Sequence, residues 1–274
     1  MNKYLFGAAL FLAGFIALAV FLALRKHRKK KTPLPLLLPC IAGLIVCGVG
    51  TAFFAFFSVY YKASPAAAKY LESSPEVSVE MTDGCILFDG SGESDLLIFY
   101  PGAKVEYTAY APLLYRIAEK GTDCCILQMP FNFALLGMNK ADKVISEHSY
   151  SSYYLAGHSL GGVAASEYAS KNAENVRGLV LLASFPVSQM NEECGVLSVY
   201  GSCDKVLDKE RFDEAEKYMS AGAQVVCIEG ADHAGFGEYG SQKGDGQAEI
   251  TPDEQKDRTA ELISGFIARS SAAR

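Results

Sequence analysis

Ser152-Tyr153-Tyr154-Leu155-Ala156-Gly157-His158-Ser159-Leu160-Gly161 is the stretch that decides how this chain is read. Its first half is a short apolar run of the kind that forms a buried strand, and the residues from Gly162 to Lys171 have the composition of a helix. Between them lies G-x-S-x-G. A strand that turns directly into a helix passes so close to itself that a Cβ two residues before or after the serine collides with backbone, hence Gly157 and Gly161. The turn lifts the Ser159 hydroxyl clear of the sheet edge, and the first free N–H groups of the helix, led by Leu160, point where an oxyanion would form.

A serine needs a base and an acid to orient that base, and in a chain of this pattern they follow in the order Ser, Asp or Glu, His. Val196-Leu197-Ser198-Val199-Tyr200 reads as a strand that ends in Gly201-Ser202-Cys203-Asp204, so Asp204 sits on a loop at a strand C-terminus. Its other reading is an Asx-turn residue opening the helix from Asp208 to Met219. Gln224 to Ile228 reads as the last strand, followed by Gly230-Ala231-Asp232-His233. Of the four histidines, His27 lies in a basic run, His148 on a polar helix end and His158 in the serine turn, so His233 is the candidate base. Asp232 and Glu229 remain minor alternatives for the acid, since a neighbour of His233 in sequence reaches its Nδ1 with difficulty. A second oxyanion donor is expected from the turn Pro101-Gly102-Ala103-Lys104-Val105, which ends the strand Asp95 to Tyr100. Ala103 supplies the N–H there, and Gly102 allows close backbone approach.

Four stretches in order carry a resemblance: YPGAKVEYTAYAPL at Tyr100 to Leu113, MPFN at Met129 to Asn132, GHSLGG at Gly157 to Gly162, and GADHAGFGEYGSQKGDG at Gly230 to Gly246. Together they resemble the dienelactone-hydrolase-like branch of the α/β-hydrolases, the fold-5 group, from about Val77 to Ala268. The resemblance implies a serine hydrolase of esterase type with Ser159, Asp204 and His233 as its triad. Lys104, Phe131, Asn132, His158 and Phe236 stand within these stretches as candidate substrate-pocket residues. The apolar loop Pro130 to Gly137 is the expected pocket roof, and Gly235 to Asp253 is expected to wrap the site and position His233.

From Val77 onward, strand and helix signals alternate: strands near 77–81, 85–88, 96–100, 124–129, 152–156, 178–183, 196–200 and 224–228, and helices near 107–120, 139–147, 162–171, 208–219 and 252–268. Continuous apolar strands between amphipathic helices predict an α/β fold, a mostly parallel sheet covered on both faces with an antiparallel start. The interval from Ala183 to Val196 is too short for a large cap.

The start of the chain is different. Tyr4 to Leu24 and Leu34 to Tyr61 carry no charge, and roughly 20 such residues cross a bilayer. Arg25 to Lys31, between them, is a run of basic residues and one histidine. We read residues 1–62 as a transmembrane hairpin, with spans about 4–24 and 36–61, then a linker over 63–75 and the hydrolase-like domain over 76–274. The basic loop belongs on the cytoplasmic side, which places a two-span protein in the cell membrane with its domain outside. A cleaved signal peptide is the alternative for the first segment. Small residues recur at Ala9, Ala13 and Ala17, and at Gly43, Cys47, Thr51 and Ala55, spacings that suit close helix approach in lipid.

Residues 1–62 hold eight Lys or Arg and no acid, which leaves 17 basic against 31 acidic residues in the remainder. So acidic a domain repels nucleic acid. Six of the eight cysteines lie outside the spans, and Cys85, Cys124, Cys125 and Cys227 fall in strand-like apolar runs, so mostly free thiols are expected. No metal-ligand spacing is present, and no cofactor or metal is expected. The expected substrate is a small-molecule or lipid ester, either carboxylic ester or lactone. Acyl transfer or peptide cleavage by the same residues, or a noncatalytic module on this fold, are the rival readings.

Overall fold

A computed structural model describes residues 3–28, 33–92 and 94–272, and it divides into two compact units at Tyr60 and Tyr61. In the first unit, α1 (Lys3–His27) and α2 (Leu34–Ser58) are both apolar over most of their length. By length and composition, Tyr4–His27 and Leu37–Ser58 could each cross a membrane. Arg25, Lys26 and His27 of the basic run extend α1, while Lys29, Lys30 and Lys31 lie outside the described residues. Gly7 packs against Phe54, Gly50 against Phe11, Gly14 against Cys47 and Gly43 against Leu18, so the two helices run antiparallel. Gly43 and Cys47 face the partner helix as expected. The alanine stripe does not, because Ala9, Ala13 and Ala17 are exposed and glycines receive the facing rings instead.

The second unit is built on one eight-stranded sheet: β1 (Ser78–Thr82), β2 (Cys85–Asp89), β3 (Asp95–Tyr100), β4 (Asp123–Leu127), β5 (Ser152–His158), β6 (Gly178–Leu182), β7 (Gly195–Gly201) and β8 (Gln224–Ile228), in the spatial order β1-β2-β4-β3-β5-β6-β7-β8. The two joins made by β2 are antiparallel and all others are parallel. Central strands are buried along nearly their whole length, which is why they read as apolar runs, whereas β1 and β8 are largely exposed edges.

On one face, α3 (Ala111–Ala118) and α7 (Pro252–Ala272) cover Leu97, Phe99 and Val180. In α7 the buried positions Thr259, Ala260, Ile263, Phe266 and Ile267 recur at the helical period and form the stripe that docks. On the other face, α4 (Ala141–Glu147) and α5 (Leu160–Lys171) cover Ile98, Leu155 and Leu181. The short helix α6 (Lys209–Ala215) joins β7 to β8, and Asp208 caps it by accepting the Arg211 N–H.

Three expectations change. Helical signals at 107–120, 139–147 and 208–219 are each part 3-10 turn, and only residues 111–118, 141–147 and 209–215 are α-helix. A 3-10 helix, Pro65–Leu71, occupies the segment read as linker, with Ala67 buried and Tyr70 edge-on to Tyr115. All eight cysteines carry free thiols, yet Cys227 is exposed on edge strand β8 rather than being a core residue.

Parallel register sets the functional edge. Tyr100 of β3 is aligned with Gly157 of β5, so the Gly102 turn and the serine turn leave adjacent strands at one level. Gly201 of β7 is aligned with Ile228 of β8, so the Asp204 and His233 loops do the same. Loops at the C-terminal ends of parallel strands are where open α/β sheets place their chemistry.

Candidate active site

Ser159 stands between β5 and α5 with φ 53° and ψ −126°, a conformation that costs a non-glycine residue energy. The surroundings enforce it. The Ser159 N–H donates to Leu182 O at 2.9 Å, and the Ser184 hydroxyl donates to Ser159 O at 2.7 Å. A Cβ on Gly157 would stand 2.5 Å from the backbone of Gly161 and Gly162, and one on Gly161 would stand 2.1 Å from Tyr100 O. Lys104, Phe131, Asn132 and Ala183 also have positive φ, and all follow strands at this same edge.

His233 and Asp204 meet. Nδ1–H of His233 donates to Asp204 Oδ2 at 2.8 Å, with both side chains 1% exposed. A carboxylate only accepts, so it holds the proton on Nδ1 and leaves Nε2 as the acceptor. That Nε2 is buried and has no hydrogen-bond partner among the described residues. The other carboxylate oxygen of Asp204 accepts the N–H groups of Val206 and Leu207, each at 2.8 Å. Asp204 is therefore both the Asx-turn residue and the partner of the histidine. Asp232 instead accepts the Gly235 N–H at 2.7 Å, and burial pushes its carboxyl above the usual range. Among the described residues Glu229 makes no hydrogen bond or ion pair with His233.

The turn that follows β3 is held from three sides. Gly102 N–H donates to Tyr110 Oη at 3.1 Å, Lys104 N–H to Asn132 O at 2.7 Å, and Val105 N–H to Gly102 O at 3.3 Å. This leaves the Ala103 N–H as the donor in the turn without an acceptor among the described residues. The Leu160 N–H opens α5, where no preceding helical carbonyl can reach it.

Two candidate pocket residues lie elsewhere than expected. His158 and Phe236 are fully buried, with ring centroids 5.7 Å apart, and His158 lies 4.6 Å from the ring of His233. Their side chains point into the core, His158 from the last position of β5 and Phe236 from the 3-10 turn after His233. Burial holds His158 well below the usual histidine range. Lys104, Phe131 and Asn132 are half-buried, and in the expected roof loop Leu135 and Leu136 are exposed while Ala134 is buried.

Several supports were not singled out from sequence. Tyr110, fully buried, receives the Gly102 N–H and so has its own O–H left to donate to His158 Nδ1 at 2.9 Å. Gln255 grips the backbone of Asp232 at both its N–H and its carbonyl. Asp245 accepts the Ala234 N–H at 2.9 Å and the Lys205 N–H at 3.4 Å, which ties the histidine loop to the acid loop. Only proximity of Tyr110 to the Gly102 motif could have flagged any of them.

The profile of the alpha/beta hydrolase family matches residues 96–257, more than half of the chain. Among solved structures, an esterase from Mycobacterium tuberculosis is similar at 13% identity and a TM-score of 0.52, over 74% of this chain and 97% of that one. A dienelactone hydrolase from Anabaena variabilis is similar at 13% identity and 0.53, over 71% and 98%. A monoacylglycerol lipase from Paleococcus ferrophilus is similar at 12% identity and 0.53, over 69% and 99%. At these identities the likeness is one of fold. No curated protein sequence matches the chain. The matched family, the sheet order and the similar folds agree: the chain belongs to the alpha/beta hydrolase family.

Proposed function

We propose that the protein is a serine hydrolase that cleaves an ester-type bond, a carboxylic ester or a lactone, through Ser159, His233 and Asp204. The observation that carries this reading is the Asp204 to His233 hydrogen bond, which fixes the imidazole tautomer and leaves Nε2 as a buried, unengaged acceptor. In this mechanism Ser159 Oγ attacks the carbonyl carbon and its proton passes to His233 Nε2. Asp204 stabilises the imidazolium without taking the proton. The tetrahedral oxyanion is received by the N–H groups of Leu160 and Ala103. His233 returns the proton to the leaving alkoxide, and water activated by the same imidazole releases the acyl group from Ser159. An esterase and a lipase among the similar folds support the ester class.

The apolar helix pair is read as a membrane anchor, its basic connection cytoplasmic and the hydrolase unit on the outer face. Neither span carries Asp, Glu, Lys, Arg or His between Tyr4 and Leu24 or between Leu34 and Tyr61, which suits an anchor better than an ion path.

A fluorophosphonate probe tests the chemistry: it labels the native protein, and Ser159→Ala abolishes both labelling and ester turnover without loss of fold. Undiminished turnover in that variant would sink the mechanism. Protease added to intact cells tests the anchor. It reaches the segment after Lys62 and spares the basic loop; cleavage only after permeabilisation would invert the topology.

A further inference from the structure

The oxyanion turn and the histidine loop lie far apart in sequence, yet a single short segment fastens both. Tyr61 pairs with Val105 as an isolated parallel bridge: the Tyr61 N–H donates to Lys104 O at 2.7 Å, and the Glu106 N–H donates to Tyr61 O at 2.8 Å. Ala63 N–H donates to the Glu106 carboxylate at 3.0 Å. One residue later, Ser64 crosses to the other loop, where its N–H donates to Glu238 O at 2.7 Å and its hydroxyl to Glu238 Oε1 at 3.0 Å. Glu238 is itself anchored. Its N–H donates to Ala109 O, and its second carboxylate oxygen accepts Lys256 Nζ at 2.8 Å, an ammonium with no solvent exposure. The Tyr61 ring lies against Tyr239, and its hydroxyl accepts the Lys243 N–H at 3.1 Å.

We infer that Tyr61, Ala63 and Ser64 form a positioning strap, which sets the Ala103 donor relative to the loop carrying His233 and on which turnover depends. The inference rests on the serine-hydrolase reading above. A backbone donor aids a developing oxyanion only when it is aimed before the reaction begins, and small misplacements cost large factors in rate. Gly102 is tied to the Tyr110 hydroxyl, Lys104 to the roof loop at Asn132 and Val105 within the turn. The strap ties the turn to the histidine loop through residues that belong to neither. Nothing in it touches the reacting atoms, so it acts through Ala103 and His233.

The test uses the full chain in detergent, with a soluble chromogenic ester and a fluorophosphonate. Glu106→Ala removes the acceptor for Ala63 N–H and should lower kcat about tenfold while KM changes less than twofold. Glu106→Gln retains a carbonyl oxygen there and should restore kcat to within about threefold of native. Ser64→Ala, which deletes one half-buried hydroxyl, should lower kcat in the same direction by a smaller factor, and it covers the case in which Glu106→Ala fails to fold. Native kcat in Glu106→Ala and Ser64→Ala, or a loss that Gln does not rescue, overturns the strap. Those results alongside an inert Ser159→Ala would leave the serine mechanism standing; turnover by Ser159→Ala would remove the mechanism itself.

Discussion

The turn that carries Ser159 and the loops that carry Asp204 and His233 reach the same sheet edge by different physics. Backbone packing holds the first: Gly157 and Gly161 lie where any side chain would meet backbone atoms, and Ser159 keeps its strained φ because nothing around it can move. Polar contacts between distant residues hold the second. Asp245 joins the two loops, Gln255 grips Asp232, and Asp204 spends one oxygen on its own turn and the other on His233. Steric enclosure is intolerant and short-range. A hydrogen-bonded frame tolerates substitution of its members, and each loss shifts an orientation and leaves the fold in place. Changes at the two glycines of the serine turn should therefore appear in stability, and changes at the loops in turnover.

The largest effect tests the steric half. In Gly161→Ala the new methyl would sit 2.1 Å from Tyr100 O and 2.4 Å from Pro101 O, both backbone atoms of the strand end and its turn. Neither can yield without displacing β3, so the variant should lose more than about 3 kcal/mol of stability. Denaturant unfolding of the purified protein reads this directly. Native-like stability in the variant would show that the turn is softer than its geometry.

Asp204→Ala tests the polar half. It should fold, since its carboxylate lies on a loop, and yet lose on the order of 10⁴ in kcat as the imidazole loses its tautomer. Asp232→Ala should cost far less, because that carboxylate serves the Gly235 N–H and not the ring. Steady-state kinetics that ranked the two in reverse would move the acid to the histidine loop.

Tyr110→Phe probes the link between the two strand-end turns, for the phenol touches the Gly102 turn and His158, beside Ser159, together. Burial pushes its pKa up, so it remains an O–H donor at any working pH. Its loss leaves the Gly102 N–H and His158 Nδ1 unpaired in the core, at about 1–3 kcal/mol. We expect kcat to fall about tenfold with KM little changed; a rise in KM alone would make Tyr110 a substrate-contacting residue.

How far the sequence was legible follows the same division. Steric demands act between neighbours, so G-x-S-x-G and the buried strands could be read from local pattern, and the sheet edge followed from strand ends. The polar frame could not. Tyr110 and His158 are 48 positions apart, and Ser64 and Glu238 are 174, with no periodicity to announce either pair. Adjacency to a motif also misled, since His158 and Phe236 stand beside site residues but turn inward. On α1 the alanine spacing was visible, and the glycines that take Phe54 and Cys47 were outweighed by it.

The smallest effect concerns that inward histidine. His158 is fully buried between Tyr110, His233 and Phe236, and burial lowers its pKa well below its ordinary 6.5. In the folded state it stays neutral as pH falls, whereas in the unfolded chain it takes up a proton below about 6.5. The unfolded state thus binds more protons in that window, and stability declines as pH drops from about 6.5, by at most about 1.4 kcal/mol per pH unit. His158→Gln retains a neutral acceptor for the Tyr110 hydroxyl and removes the titration. Unfolding free energies measured between about pH 6.5 and pH 5 should therefore fall more steeply for the native protein than for the variant. Parallel slopes would mean that His158 is protonated in the folded state, and the packing around His233 would then rest on a charge instead of on the neutral ring described above.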